Sequence, residues 1–356
     1  MINVTKTFLP PQEEYQAILK RAWDTGWMTN RGVLVQELET HLKAYLGVSN
    51  MLTMTNGTLP LQIAIKALKL KGEIITTPFS YVATTSSIVW EGCTPVFVDI
   101  HPEYLTIDET KIEAAITSRT SAILATHVFG NPCHVEAIEQ IANKHSLKVI
   151  YDAAHCFGIT YKGQSIFNYG DVSTCSFHAT KLFHTGEGGT LFCKPQHFKT
   201  IFSHHNFGHQ GKESFDGVGI NAKMSEPQAA MGLAVLPYMK TILRQRKQVV
   251  THYNNALKET NLKTLKLRVD TQWNYSYYPV IFSSEEVLLS VKEALEKIKV
   301  YPRRYFYPSL NKLPYLKYDS MPVSESISRK ILCLPLYDSL SLNEVEAICK
   351  LIKTSL

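Results

Sequence analysis

Residues 121–152 read SAILATHVFGNPCHVEAIEQIANKHSLKVIYD, and the fold is decided there. Ser121–Val128 is a short strand-like run, the spacing becomes helical from Cys133 to His145, and a second strand-like run follows at Leu147–Asp152. Strand-like runs joined through a helix argue for parallel strands. The same alternation extends upstream: Glu73–Thr77, a helix to about Glu91, Pro95–Ile100, and a helix near Asp108–Ile116. The predicted class is therefore α/β, with a mostly parallel central sheet and helices on both faces. In such sheets ligands gather at the carboxyl ends of the strands, so Asp152 stands at the edge to be searched.

Further out, two amphipathic helices precede the sheet. One follows Pro10-Pro11 and carries Tyr15, Ile18, Leu19, Ala22 and Trp23; the other carries Leu34, Leu38, Leu42 and Tyr45. Downstream, Ser225-Glu226-Pro227-Gln228 has the form of a capping box opening an apolar helix that ends near Leu236, and a long charged helix runs on to about Leu257. A strand at Ser276–Phe282, a helix at Glu285–Ile298 and a last helix capped by Ser341 with Glu344 form a smaller α+β unit. The expected division is a large domain at 1–236 and a small one at 237–356, as the length of 356 residues also suggests.

The net charge of +6 is dispersed in single residues and pairs, without the basic run of a nucleic-acid binder, and it suits an anionic small substrate. Seven cysteines without paired spacing form no disulfide framework, which predicts a reducing cytoplasm. The N-terminal stretch MINVTKTFLPPQEEY lacks a signal-like apolar core, and no run approaches the roughly 18 apolar residues of a membrane span. Neither nucleic acid nor membrane is expected as a partner. No GxGxxG run and no GK[ST] ending occur, which sets aside nicotinamide and P-loop chemistry. His204-His205, His127 with Cys133-His134, and His155-Cys156 lack the paired spacing of a closed zinc site, so no metal is expected.

Three stations carry chemistry. Thr55-Asn56-Gly57-Thr58 stands before the helical run Leu61, Ala64, Ile65, Leu68, so a glycine and hydroxyls crowd a helix N-terminus whose free N–H groups favour an anion; a plain turn with a threonine cap is the alternative. Asp152 ends an apolar strand and is followed by Ala153-Ala154-His155; it is either a functional carboxylate or the cap of the next turn. Lys181 closes the run STCSFHATK and is followed by LFHTGEGG, whose glycines let backbone approach a ligand. A lysine flanked by apolar and hydroxyl residues departs from the usual solvated charge, and burial lowers its pKa toward that of a nucleophile. An anion site, a carboxylate and a buried lysine together match the needs of pyridoxal phosphate.

The ordered motifs TNGT, TTPFSYVATT, VIYDAAHCFG, SFHATKLFHTGEGG, GINAKMSEPQAAMG and LCLPLY resemble the DegT/DnrJ/StrS family of sugar aminotransferases across nearly the whole chain. The resemblance implies the fold-type I, aspartate aminotransferase-like architecture and a homodimer whose active sites are shared between subunits. It makes Lys181 the Schiff-base lysine, Asp152 the partner of the pyridine nitrogen, His155 a neighbour of the cofactor's phenolic edge, and Tyr81 the ring stacked on the pyridine. Gly57, Thr58 and Ser176 match the phosphate ligands, and Asn221 matches a residue offered to the phosphate by the neighbouring subunit. His178 and Glu187 fall in the motif, near the expected place of substrate.

Thr180-Lys181 with the Gly186–Gly189 turn resembles members acting at C-4 of the sugar rather than C-3. Val300–Pro308, VYPRRYFYP, resembles the segment of members making dTDP-4-amino-4,6-dideoxy-D-glucose, with Arg303, Arg304 and Tyr305 as candidate contacts for a diphosphate and a sugar or base. The implied reaction moves an amino group from L-glutamate to C-4 of dTDP-4-keto-6-deoxy-D-glucose. A C-3 or UDP-sugar enzyme of the same family, and a non-catalytic regulator that binds the cofactor, are the alternatives.

Overall fold

The computed structural model describes residues 1–356. A seven-stranded sheet runs in the order Met51–Met54, Gly189–Cys193, Val172–Ser176, Lys148–Asp152, Thr120–Thr126, Glu73–Thr76, Thr94–Phe97. The last five are mutually parallel, and Gly189–Cys193 lies antiparallel to both of its neighbours. Residue alternation along the strands explains the two helical layers. Ile74, Leu124, Ile150, Val172 and Leu191 share one apolar core with Leu61, Ala64 and Ile65 of the helix Leu59–Ala67. Their neighbours Ile75, Ile123, Tyr151, Cys175 and Phe192 point the other way, into a core shared with the helices Val33–Leu46, Val135–His145 and Glu226–Val235. Each such side chain contributes about 1.5–3 kcal/mol by leaving water.

The predicted elements are present with ends moved by a few residues, and the helix near Asp108–Ile116 shortens to Glu109–Ile112 followed by a 3-10 turn. The strand Met51–Met54 was not foreseen, since MLTM has neither alternation nor β-branched enrichment and is a strand only because Gly189–Phe192 pairs with it. At Glu226–Val235 the capping box closes as expected, the Ser225 N–H donating to Gln228 Oε1 at 2.9 Å.

A second apolar core gathers the later part of the helix Met239–Ala256 with the helices Glu285–Lys297 and Leu342–Ser355 and the strands Tyr278–Ile281 and Ile331–Leu334. Met239 and Ile242, at the start of that helix, pack in the large core, so one helix bridges both. The first residues form a strap across the molecule. Ile2–Asn3 pairs parallel with Val300–Tyr301, Val4 O accepts from Leu336 N, Thr7 Oγ1 donates to Ala179 O at 2.9 Å, and His184 Nε2 donates to Phe8 O at 2.6 Å. No helix is long and apolar enough to cross a membrane.

Candidate active site

The register of the sheet brings the first functional group into place. Thr126, Asp152 and Thr174 are aligned at the carboxyl ends of three neighbouring parallel strands. Above them opens a cavity of ≈ 640 Å³ that also reaches Gly57, Tyr81, His155, Ser176, Lys181 and Arg303.

Asp152 is buried, and its carboxylate has two donors: Thr84 Oγ1 to Oδ2 at 2.6 Å and the Ala154 N–H to Oδ1 at 3.1 Å. Behind Thr84 the hydroxyls of Ser80 and Thr126 continue the chain at 2.7 and 3.0 Å. With Thr84 donating to the carboxylate, Ser80 donates to Thr84 and Thr126 to Ser80, so the polarisation of each hydroxyl adds along the row. Burial raises the Asp152 pKa, which the Thr84 and Ala154 bonds and the nearby Lys181 charge oppose. A buried carboxylate with donors but no adjacent salt-bridged cation is fitted to receive a charged N–H from a ligand.

Lys181 sits in a loop closed by backbone bonds from Phe177 N to Gly188 O and from Ala179 N to Gly186 O, with Gly186 in the left-handed region at φ 79°. The residue is half-buried because the cavity reaches it, yet its amine has little water: burial lowers its pKa, against the opposing pull of Tyr305, Asp152, Cys175 and Tyr81. Its one side-chain hydrogen-bond partner is the Tyr277 hydroxyl, at 3.4 Å. His155 is buried and its Nδ1 accepts from the Phe129 N–H at 3.1 Å, so the remaining proton of the neutral ring is on Nε2. Burial, with Lys181 adding to it, holds its pKa well below the usual histidine value.

The glycine turn fits an anion. A Cβ at Gly57 would lie 2.8 Å from both Cβ and Oγ of Ser176, so only glycine lets this backbone pass so close to the serine. The cap of the helix Leu59–Ala67 differs from the threonine cap weighed above. Asn56 Oδ1 accepts from the N–H groups of Thr58 and Leu59, both at 2.9 Å, and Thr58 makes no cap bond. The Thr58 hydroxyl is thereby left to the cavity with Ser176 Oγ. Glycine cradle, hydroxyls, buried carboxylate and buried amine together form a donor set that fits pyridoxal phosphate.

At the mouth, His178 Nε2 lies 3.6 Å from Glu187 Oε1, and His178 Nδ1 bonds Thr180 Oγ1 at 2.8 Å. Tyr81 is half exposed at the N-cap of the helix Val82–Trp90. Arg303 and Tyr305 line the cavity, the guanidinium 4.8 Å from the ring centre. Arg304, expected beside substrate, does not line this cavity. It pairs with Glu285 at 2.5 Å, donates to Arg329 O at 3.0 Å and stacks on Tyr307, because consecutive residues of an extended segment point to opposite sides. Asn221 lies outside the cavity of its own chain, bridged through backbone to Asn206. Sequence reasoning missed Thr84, Ser80, Thr126 and Tyr277. Thr84 had a faint signal, one helical turn after Ser80 in FSYVATT, whereas Tyr277 approaches from ninety-six residues beyond the lysine.

The family model for the DegT/DnrJ/EryC1/StrS aminotransferase family matches residues 11–353. The chain is 41% identical to a dTDP-4-amino-4,6-dideoxy-D-glucose transaminase of Shigella dysenteriae, over 99% of this chain and 98% of that protein. It is 38% identical to the Escherichia coli protein of the same description, with the same coverage. Among solved structures, DesI in the presence of its TDP-sugar product superposes with a TM-score of 0.94 at 29% identity, covering 99% of this chain and 92% of that one. The PLP form of the sugar aminotransferase Spr1654 from Streptococcus pneumoniae superposes with a TM-score of 0.91 at 25% identity, covering 99% and 98%.

Proposed function

Since the chain belongs to the DegT/DnrJ/EryC1/StrS family and is a pyridoxal-phosphate-dependent sugar aminotransferase, we propose that it moves the amino group of L-glutamate to C-4 of dTDP-4-keto-6-deoxy-D-glucose, yielding dTDP-4-amino-4,6-dideoxy-D-glucose. The choice of sugar rests on the two relatives that share about two fifths of their residues with this chain over its whole length. When bound, pyridoxal phosphate supplies an aldehyde that condenses with amines and a protonated ring that accepts an electron pair.

For the residues, the carrying observation is that the Lys181 amine, the Asp152 carboxylate and the Gly57–Ser176 cradle open into one cavity. Lys181 would hold the cofactor through its amine and, once freed by the donor's amino group, would serve as the base that takes a proton from the donor's α-carbon and delivers it to the cofactor's former aldehyde carbon, the reverse transfer placing it on C-4 of the sugar. Asp152 keeps the ring nitrogen protonated, and the Thr84–Ser80–Thr126 row holds Asp152 ionised. His155 offers its Nε2–H toward the cofactor's oxygen edge, with its ring fixed by Phe129. Tyr81 covers the ring face, while Gly57, Thr58 and Ser176 receive the phosphate. His178, Glu187, Arg303 and Tyr305 meet substrate at the mouth, Arg303 as the forked cation for a carboxylate or diphosphate.

Residues 1–236 serve as the cofactor-binding unit and 237–356 as the smaller one, supported by the two main apolar cores, which are joined by the start of the helix Met239–Ala256 and by a smaller cluster of Phe79 and Phe129 with Tyr277 and Phe306. The working form is a homodimer in which Asn221 reaches the partner's phosphate site, supported by its exposure beside Phe207, Phe215, Val218 and Ile220, all of them exposed. A cytoplasmic location is supported by seven cysteines, all unpaired. Purified protein assayed with L-glutamate against dTDP- and UDP-linked 3-keto and 4-keto sugars, with NMR of the products, tests the reading. Exclusive amination at C-3, or of a UDP-sugar, would replace it. Failure of glutamate to discharge the cofactor colour would leave only a binding protein.

A further inference from the structure

A buried arginine and the tyrosine it fixes have no role in the proposed reaction so far. Arg246, on the helix Met239–Ala256, is buried without a carboxylate partner, and its guanidinium donates to two backbone carbonyls, Tyr275 O at 2.9 Å and Ser276 O at 2.7 Å. Burying a charge is costly, and here it is spent on the two peptide groups that precede Tyr277. The other side of the same segment is tied to the large sheet's loops. Asn274 Nδ2 donates to His155 O and Phe157 O at 2.9 and 3.0 Å, the Ser276 N–H donates to Asn274 Oδ1, and Ser276 Oγ and Trp273 Nε1 both donate to Phe129 O. Tyr277 is thereby held from both units. Its ring lies 4.7 Å from that of His155 and meets the Tyr305 ring edge-on at 5.3 Å. Its hydroxyl is the one side-chain hydrogen-bond partner of the Lys181 amine.

A phenol in that position accepts from an ammonium and donates to a neutral amine, so it serves the nitrogen in both protonation states. From this geometry we infer that Tyr277 is a positioning residue: the docking point that holds the Lys181 nitrogen in line with the cavity whenever that nitrogen is not bound to cofactor, fixed in place by Arg246 and Asn274. The inference rests on the proposed role of Lys181. Without the hydroxyl, the four-carbon stem of Lys181 samples other rotamers, and both capture of the cofactor and the proton transfers that follow lose alignment. Misplacement of a reacting group by about 1 Å costs up to about a hundredfold in rate.

Tyr277→Phe removes one oxygen and keeps the ring contacts. The test first measures the second-order rate at which apoprotein captures pyridoxal phosphate, followed by absorbance and by borohydride tagging with peptide mapping. It then measures the deuterium isotope effect at the glutamate α-carbon together with kcat and KM. The expected result is capture slowed about tenfold, kcat lowered about as much with KM for either substrate unchanged, and a larger isotope effect, all at an unchanged melting temperature. Capture at the wild-type rate with an unchanged isotope effect overturns the inference. Should the variant not fold, the same measurements on Arg246→Gln decide, with slower capture expected and wild-type capture overturning it. If wild-type protein itself takes no tag at Lys181, the catalytic reading has failed instead, and that result is told apart from the others by the unsubstituted control.

Discussion

Thr84→Val tests the polar row behind the carboxylate. The Thr84 hydroxyl is one of two donors to Asp152, at 2.6 Å in a buried site, and valine has nearly its shape without the proton. A hydrogen bond to a charged group is worth about 1.5–3 kcal/mol. Its loss removes the largest of the influences that oppose burial, so the Asp152 pKa rises further above the ordinary carboxylate range. The sign follows from which form works. An ionised Asp152 is required to keep a ring nitrogen protonated, so the acid limb of the pH–rate profile moves toward higher pH. If the whole loss is felt in the transition state, kcat falls between about tenfold and about a hundredfold. The assay is the glutamate half-reaction, followed as the fading of cofactor colour in single turnovers from pH 5.5 to 9, a range on the order of one or two pKa units either side of neutrality. Thr84→Ser retains the donor and serves as the control, expected within about threefold of wild type. A valine variant within about twofold of wild type, with an unmoved acid limb, would refute the role given to the row.

Lys181→Ala should abolish turnover and leave no borohydride tag on the peptide that contains position 181; ordinary catalysis by that variant would remove the lysine from its role. Asp152→Asn should lower the rate by several orders while leaving the apoprotein no less stable. Burial holds the native Asp152 pKa above its unfolded value, so the apoprotein loses stability as pH rises from the ordinary carboxylate range through the native value, and a neutral amide escapes that loss. A lower melting temperature for the apo variant at pH 7.5 would contradict this account, which concerns a pH roughly three to four units above the usual aspartate pKa. Gly57→Ala places a methyl 2.8 Å from Ser176 and should weaken cofactor affinity by about tenfold or more, read by equilibrium dialysis; unchanged affinity would dissociate the turn from the phosphate. Arg303→Gln should raise KM for the nucleotide sugar by about tenfold or more with the melting temperature unchanged, whereas Arg304→Gln should leave KM alone and lower stability through the lost Glu285 pair; the reverse pattern would exchange their roles.

Much of the architecture was readable because it depends on local pattern. The strand–helix alternation from Glu73 to Asp152 and the capping box at Ser225 are determined by residues within a few positions of one another, and the same holds for the lysine between STCSFHAT and the glycine turn. What escaped reading depends on tertiary approach. Met51–Met54 becomes a strand through a partner nearly 140 residues away. Thr84 and Tyr277 are ordinary core residues until the fold sets one beside Asp152 and the other beside Lys181. Arg303 and Arg304 look equivalent in sequence, yet alternation sends one into the cavity and the other to Glu285. Sequence adjacency gives proximity of backbones and says little of where two charged heads point.

The strap formed by residues 2–8 ties the assembly of the catalytic loop to the other end of the polypeptide. Thr7 and Phe8 brace the turn around Lys181, but the same strap is seated by Val300–Tyr301 and Leu336, so nearly the entire chain separates its partners. Contacts of such long range form late, since loop closure must precede them. The loop that presents the reactive amine closes through its own short-range bonds, but the strap that braces it is not fully seated until the chain as far as Leu336 is in place.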